Sequence, residues 1–284
     1  MLNDLIIMSK KSLKLALTLR HWDYGSLGYC SSCDSDTMFI YSRDLNTWLS
    51  QIISSWKSSS NFKATLMARE NELCFFCNAN YRMRLHAATV IKLLGMSSAK
   101  HLIGRLQKDD SFHTYESAAY NIFRMQKLRK LINYEVSEYF DDKPYGSYVN
   151  DIRNENLERL TFPNNRFDVV INSDVFEHVG NLKQALSEVK RVLKPGGFHV
   201  FTIPVDYELP RTVERAKVTD GKIEYLMEPV MHGDSIRRDG ILAFRDFGSD
   251  VLDYMSIEGF ECKEFKYNKG DKYIASVYYA QKKQ

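Results

Sequence analysis

Long apolar runs are missing from this 284-residue chain. No stretch reaches the roughly 18 apolar residues that a membrane-crossing helix needs. The most leader-like segment, LKLALTL near the start, is interrupted by Lys14 and followed by no small-residue cleavage site. The opening MLNDLIIMSKKSLKLALTLRHW is therefore expected to form an amphipathic helix that packs on its own protein, or else meets a partner or a membrane surface. An excess of charge of one sign is missing too. Lys and Arg number 39 against 36 Asp and Glu, a formal charge of +3, too little for a protein built mainly to grip phosphate backbones. Composition typical of disorder is also scarce. With 44% apolar and 13% aromatic residues the chain is expected to pack, as one large domain and a smaller module.

Cysteine is sparse, and four of the five residues fall in two pairs, Cys30-Ser31-Ser32-Cys33 and Cys74-Phe75-Phe76-Cys77, with Cys262 left over. Two residues between thiolates let both sulfurs of a tight turn reach one ion, so two such turns supply the four soft ligands of a closed tetrahedral zinc site. Disulfides or unrelated buried thiols are the alternatives, and disulfides would be unusual in a cytoplasmic chain, the compartment expected here. Between the pairs, Trp48, Leu49, Ile52, Ile53 and Trp56 recur at helical spacing, so the zinc loop is expected to carry its own helix. After the second pair come Arg82, Arg84 and His86, a basic turn read as a solvated face, a contact between modules or, less favoured, a phosphate contact.

From about His101 strand and helix signals alternate. Asn121–Ile132 reads as a basic amphipathic helix, Asn133–Phe140 as a strand, and Arg166–Ser173 as a buried strand. Leu182, Ala185, Leu186, Val189 and Leu193 form one helical stripe, stopped by KPGG, before the strand FHVFTIP. Strand, helix, strand with a short stop implies a right-handed parallel crossover. DFGSDVLDYMSIEGF reads as a final helix closing near Gly259, then FECKEFKY, a turn at NKGD, and KYIASVYYAQ as an antiparallel hairpin. The expected fold is α/β: a Rossmann-like, mostly parallel sheet with a C-terminal antiparallel hairpin, plus a small N-terminal zinc-binding module. The expected division is a helical and zinc-ribbon-like module over 1–100 and the large domain over 101–284.

FDVVINSDVFEHVGNLKQALSEVKRVLKPGGFHVFTIP, from Phe167 to Pro204, resembles class I S-adenosylmethionine-dependent methyltransferases of type 11. FD opening a buried strand, EHV after it and LKPGG closing the next helix occur together and in order. The likeness covers about Phe112 to Lys283. With SEYF, the paired CxxC motifs and RMR, it is more narrowly similar to bacterial proteins that join a zinc ribbon to such a domain. S-adenosylmethionine and structural zinc are the cofactors it implies.

In an open α/β sheet, ligands sit outside the carboxyl ends of the strands. The resembled family has a glycine-rich turn after its first strand, and this chain has none. The nearest equivalent is FHTYESAAYNIF, where Tyr115 and Glu116 end a strand and Ser117, Ala118 and Ala119 are small; Ser117 could alternatively cap a helix. Glu138, 20 residues after Ala118 and followed by Tyr139, is the expected ribose carboxylate. The resemblance implies an adenine contact at Glu155, Asn156 and Leu157, with Asn156 standing where an aspartate is commoner. The third strand is expected in YVNDIRNENLERLTF, and DDKPYGS before it is too short to hold the usual covering helix.

Ser173 and Asp174 end the fourth strand, where the transferred methyl is expected, and Glu177 and His178 follow within a turn. His178, or Asp174, could accept the acceptor's proton; Asp174 could instead cap the turn at Val175. His232 is a second candidate base, on a polar loop with Asp234, Arg237 and Arg238 that is expected to cover a substrate. The leading expectation is a methyltransferase acting on oxygen or nitrogen of a small molecule or glycan sugar. The alternative is a non-catalytic module of the same fold whose zinc region binds a protein or nucleic acid, a reading the missing glycines favour.

Overall fold

The computed structural model describes residues 22–54, 56–118, 122–125, 128–233, 236–237, 239–269 and 272–283. The expected N-terminal helix, and Ala119, Asp234, Arg238 and the Gly270-Asp271 part of the last turn, lie outside the described residues. The chain begins with a small antiparallel sheet of β1 (Trp22–Cys30), β2 (Ser35–Ser42) and β3 (Glu72–Cys74). Between β2 and β3 run two helices, α1 (Arg43–Ser54) and α2 (Ser60–Asn71). Trp56 falls beyond the end of α1, against expectation, because it stacks on a remote ring, that of His232.

Next come α3 (Tyr81–Leu93) and α4 (Ala99–Lys108). α3 starts where the Asn80 side chain accepts the Met83 amide and stops at Gly95, whose φ of +63° lets the Gly95 and Met96 amides reach back to Lys92 and Ile91. Met83, Ala87, Val90 and Ile91 form its buried stripe.

The large sheet comprises β4 (Thr114–Ser117), β5 (Tyr134–Glu138), β6 (Tyr148–Val149), β7 (Ile152–Asn154), β8 (Phe167–Ser173) and β9 (Leu193–Thr202). Short pieces follow: β10 (Val213–Glu214), β11 (Ala216–Thr219), β12 (Lys222–Tyr225), β13 (Met231–His232), β14 (Ile241–Leu242) and β15 (Arg245–Asp246). The hairpin of β16 (Cys262–Lys269) and β17 (Lys272–Gln281) finishes the sheet, in the order β16-β17-β9-β8-β4-β5-β7-β6. β7, β5, β4, β8 and β9 run parallel, while β17 and β16 are antiparallel. The order reverses direction at β4, which creates a crevice at the carboxyl ends of β4 and β8.

Helix α5 (Leu182–Val192) covers one face of this sheet, with Ala185, Leu186 and Val189 against Phe167, Val170 and Phe201. α3 and α4 cover the other, where Val90, Leu102 and Leu106 meet Val169, Ile171 and Val200. Because β8 is buried on both faces, its centre, residues 169–171, is a continuous apolar run rather than an alternation. Thus α3 is a layer of the large sheet even though it precedes residue 100.

Four local expectations are corrected. Over Asn121–Ile132 the described residues hold only a short 3-10 turn, Leu128–Lys130. The Ile122 amide is committed to Glu116 and the Arg124 amide to the Ser32 carbonyl, so remote partners replace a helical ladder. The third strand is split into a β6–β7 hairpin by Asn150 and Asp151, both at positive φ. The last helix, α6, is a single turn, Val251–Tyr254. α5 ends at Val192, before Pro195, because β9 already starts at Leu193. No helix lies between β5 and β7, as the short DDKPYGS segment implies. None of the described helices is long and apolar enough to cross a membrane.

Candidate functional site

A cavity of about 640 Å³ opens at the carboxyl ends of β4, β5, β7 and β8. Ser117, Ala118, Glu138 and Tyr139 line one side, and Asp174 and His178 the end of β8. The opposite wall is apolar, with Val218 and Ile223 from the β11–β12 hairpin beside Ile241, Leu242 and Phe244. That hairpin lies close because Gly180 has no side chain: a Cβ there would stand 2.7 Å from Val218.

The turn after β4 does what a glycine would do, with alanine. Ala118 takes a φ of +53°, and Glu116, fully buried below it, holds the far end of the turn by accepting the Ile122 amide at 2.8 Å and the Tyr134 hydroxyl at 2.8 Å. Glu116 thus shapes the turn from beneath. Tyr115 also lies in the core, its hydroxyl paired with Ser137 at 2.7 Å and its ring packed on Phe162 and Phe167, away from the cavity. Ser117 accepts from the Asn172 amide, so it ends the strand and caps no helix in the described residues.

Glu138 sits at the end of β5 with Oε1 accepting the Tyr139 amide at 3.0 Å. Arg237 reaches this corner, donating to the Tyr139 carbonyl at 2.8 Å and to Asp141 at 3.1 Å. Glu155 faces inward: Arg153 donates to it at 2.6 Å and the Thr161 amide at 2.9 Å. Asn156 spends its carbonyl on the Glu158 amide at 2.8 Å, and Leu157 is a buried wall residue.

At β8 the two neighbouring residues part. Ser173 turns beneath α3, where His86 Nδ1 lies 3.0 Å from its hydroxyl and Nε2 lies 3.1 Å from the Val200 carbonyl. Asp174, at a φ of +48°, faces the cavity and pairs with Arg69 and, at 3.3 Å, with Arg82. Glu70 completes the group, 3.0 Å from Arg69 and 2.7 Å from Arg82, so two guanidiniums balance two carboxylates. Burial works to raise the Asp174 pKa, but the two guanidiniums prevail and hold it below the usual carboxylate value. Asp174 caps nothing; the turn it precedes has no side-chain cap. Arg82, Arg84 and His86 are all buried, Arg84 against Glu72 at 2.5 Å, which removes the basic turn from any phosphate surface.

The turn Phe176–His178 is fixed by Arg245, which donates to the carbonyls of Phe176 and Val179 at 2.5 and 2.7 Å. His178 Nδ1 lies 2.8 Å from the Leu242 carbonyl; that acceptor requires an N–H, which puts the neutral ring's lone pair on Nε2. Glu177 is buried, with Oε1 3.7 Å from that Nε2; burial, reinforced by Asp174, raises its pKa to about 8. His232 comes from β13 and is stacked on Trp56 at 4.6 Å, edge-on to His178 at 4.9 Å. Burial, with His178 beside it, pushes its pKa down to about 3.

A second constellation lies in the small sheet. Cys30 and Cys77 sulfurs are 3.8 Å apart, Cys33 and Cys74 3.9 Å, and all four fall within 4.8 Å of one another, with no disulfide. A tetrahedral ion with sulfur bonds of about 2.3 Å holds its ligands about 3.8 Å apart. The donor set and spacing fit such an ion. Both knuckles close alike: Asp34 and Asn78, each at positive φ, return their amides to the carbonyls of Cys30 and Cys74 at 2.8 Å. Asp and Asn tolerate that conformation better than other side chains.

Sequence reasoning missed Arg69 and Glu70, which look like ordinary helix-end charges, and Asn172, which joins Ser117 to His199. For the knuckles, the Asp or Asn after each second cysteine was an available signal.

Residues 118–201 match the family described as a methyltransferase domain. A probable S-adenosylmethionine-dependent methyltransferase of Mycolicibacterium smegmatis is 44% identical over 54 residues, 19% of this chain and 21% of that protein. A sarcosine/dimethylglycine N-methyltransferase of Aphanothece halophytica is 36% identical over 83 residues, 28% of this chain and 26% of its own length. A ubiquinone/menaquinone biosynthesis C-methyltransferase of Pectobacterium atrosepticum is 32% identical over 120 residues, 37% of this chain and 47% of its own. The chain spans less than half the length of each of these relatives. Among solved structures, the 1,6-didemethyltoxoflavin-N1-methyltransferase of Burkholderia thailandensis aligns over 92% of this chain and all of its own, at 12% identity and a TM-score of 0.39. The segment 118–201 is thus similar to a methyltransferase domain, and it lies within the eight-stranded sheet described above.

Proposed function

We propose that the protein is an S-adenosylmethionine-dependent methyltransferase, acting in the cytoplasm on an oxygen or nitrogen of a small molecule or glycan sugar. The observation that carries this reading is the 640 Å³ cavity at the switch point of the parallel sheet, with Glu138 at the end of the second strand of the family-matched segment. The cofactor fits the residues present. The left-handed Ala118 turn lets backbone approach closely, and the Glu138 carboxylate is an acceptor suited to a ribose diol. Tyr139 and Leu157 would flank the adenosine end. Tyr115, Glu116, Ser173 and Glu155 act in this reading by shaping the site, since each is committed to a protein partner.

When bound, the cofactor supplies an electrophilic methyl group. The chain's part is to hold the acceptor in line, exclude water behind the β11–β12 hairpin, and take up or disperse the proton that the acceptor loses. Asp174, held anionic between Arg69 and Arg82, serves as a fixed wall charge rather than the base. Proton handling falls to the group made by Glu177, His178 and His232. The zinc-ribbon-like module over 1–100, with Cys30, Cys33, Cys74 and Cys77 as zinc ligands, is read as structural support, and 101–284 as the methyltransferase domain.

Titration calorimetry with S-adenosylhomocysteine tests the reading. The full-length, zinc-loaded protein should bind one equivalent, and Glu138→Ala should weaken binding by at least about tenfold, the loss of a charge-assisted hydrogen bond. Absence of binding by the folded wild type, or binding unchanged by Glu138→Ala, would return the non-catalytic module as the better account.

A further inference from the structure

One cluster beside the cavity, reaching it through His178, has the composition of a metal site. One carboxylate oxygen of Glu177 and one ring nitrogen each of His178 and His232 lie within 4.8 Å of one another. We propose that these three residues bind a divalent cation of the Mn2+ or Fe2+ kind at the acceptor end of the cavity.

Four observations carry the proposal. First, Glu177 is 2% exposed, and its Oε2 has no hydrogen-bond partner among the described residues. A buried carboxylate oxygen left that way is costly unless something else satisfies it. Second, the nearby arginines form their ion pairs elsewhere: Arg69 and Arg82 pair with Glu70 and Asp174. Among the described residues, the ion-pair neighbour of Glu177 is the His178 ring, at 3.7 Å. Third, His178 is oriented as metal-binding histidines are. Its Nδ1–H points to the Leu242 carbonyl, which fixes the tautomer and turns Nε2 to the Glu177 side. Fourth, the Trp56 ring lies flat against His232, so a wall holds the third ligand from behind.

Two imidazoles and one carboxylate suit first-row divalent ions and leave coordination positions open. His178 lines the cavity, and so does Gly233, the neighbour of His232, so those positions face the acceptor side. A cation there would stabilise negative charge developing on an acceptor oxygen as its proton leaves to water, the Lewis-acid role. His178 would then be a ligand rather than the base. This role rests on the methyl-transfer reading; ion binding itself does not.

The test is Mn2+ uptake by the full chain carrying one equivalent of zinc, followed by electron paramagnetic resonance. Mn2+ is a hard ion that four thiolates do not select, so the cysteine site stays out of the signal. We expect one Mn2+ per chain, and affinity reduced at least about tenfold in Glu177→Gln and in His232→Gln, as befits loss of a ligand. The pulsed spectrum of the wild-type complex should show nitrogen coupling from imidazole. No uptake, uptake unaltered in both variants, or a wild-type spectrum without nitrogen coupling overturns the proposal, the last independently of whether the variants fold. Mn2+ uptake with no S-adenosylhomocysteine binding would leave the metal site standing and remove the methyltransferase reading; the converse result would do the opposite.

Discussion

Ala118 is where one side chain bears a strain that glycine would not. Its φ of +53° brings Cβ against the backbone, a cost of roughly 1–2 kcal/mol for an L-residue. Ala118→Gly should therefore raise the unfolding free energy by about 1 kcal/mol in denaturant titration, and a neutral or lower value would show that the strain is relieved elsewhere. Sequence reasoning located this turn by its small residues, yet expected the missing glycines to make positive φ hard to reach. Glu116 explains how it is reached: a buried carboxylate ties Ile122 back to the strand. The place of Glu138, at the end of β5 and beside the cavity, was legible because strand, turn and strand impose a spacing. Ser173, expected beside the cofactor, turns instead to His86 under α3, while Asp174, past the end of β8 at a φ of +48°, faces the cavity; the position of α3 could not be read from the strand itself.

Elements with a regular ladder behind a clear apolar pattern were legible, and the segment held by irregular remote partners was not. β8 and α5 show their apolar patterns openly, whereas 121–132 has a helical pattern and gives its amides to Glu116 and Ser32. The seam between α3 and the sheet carries a pH dependence. Burial holds His86 neutral, with its pKa lowered from 6.5 to about 4, and His199 is lowered to about 3. Below pH 6.5 the unfolded chain takes up protons that the native state refuses, so stability present above that pH is lost as pH falls toward 4. His86→Gln, which can keep both hydrogen bonds, should lose less stability than wild type between pH 6.5 and 4.5. The difference is on the order of 2 kcal/mol by the end of the window, read from urea midpoints at each pH. Parallel pH curves for the two proteins would reject the assignment.

The small sheet and the large one share more than a chain. From the small sheet's side come Arg69 and Glu70, and from α3 come Arg82 and His86, all meeting the end of β8. If zinc holds the cysteine knuckles, its loss should be felt at the cavity. Cys74→Ser should abolish the one equivalent of zinc seen by metal analysis, lower the melting temperature by on the order of 10 °C, and weaken S-adenosylhomocysteine binding. Undiminished zinc would reject the ion site. The four-cysteine cluster was legible from the cysteine spacing; this dependence was not, because nothing in the sequence around Arg69 or Arg82 says which carboxylate each arginine will find. The sheet also has an order of assembly written into it. β17 lies between β9 and β16 and pairs with both. During synthesis β16 emerges before the lane that joins it to the rest, so its place stays open until residues 272–281 arrive. A nascent chain that stops ahead of them has Phe201 lacking its Tyr278 neighbour and β16 without the strand that joins it to the sheet.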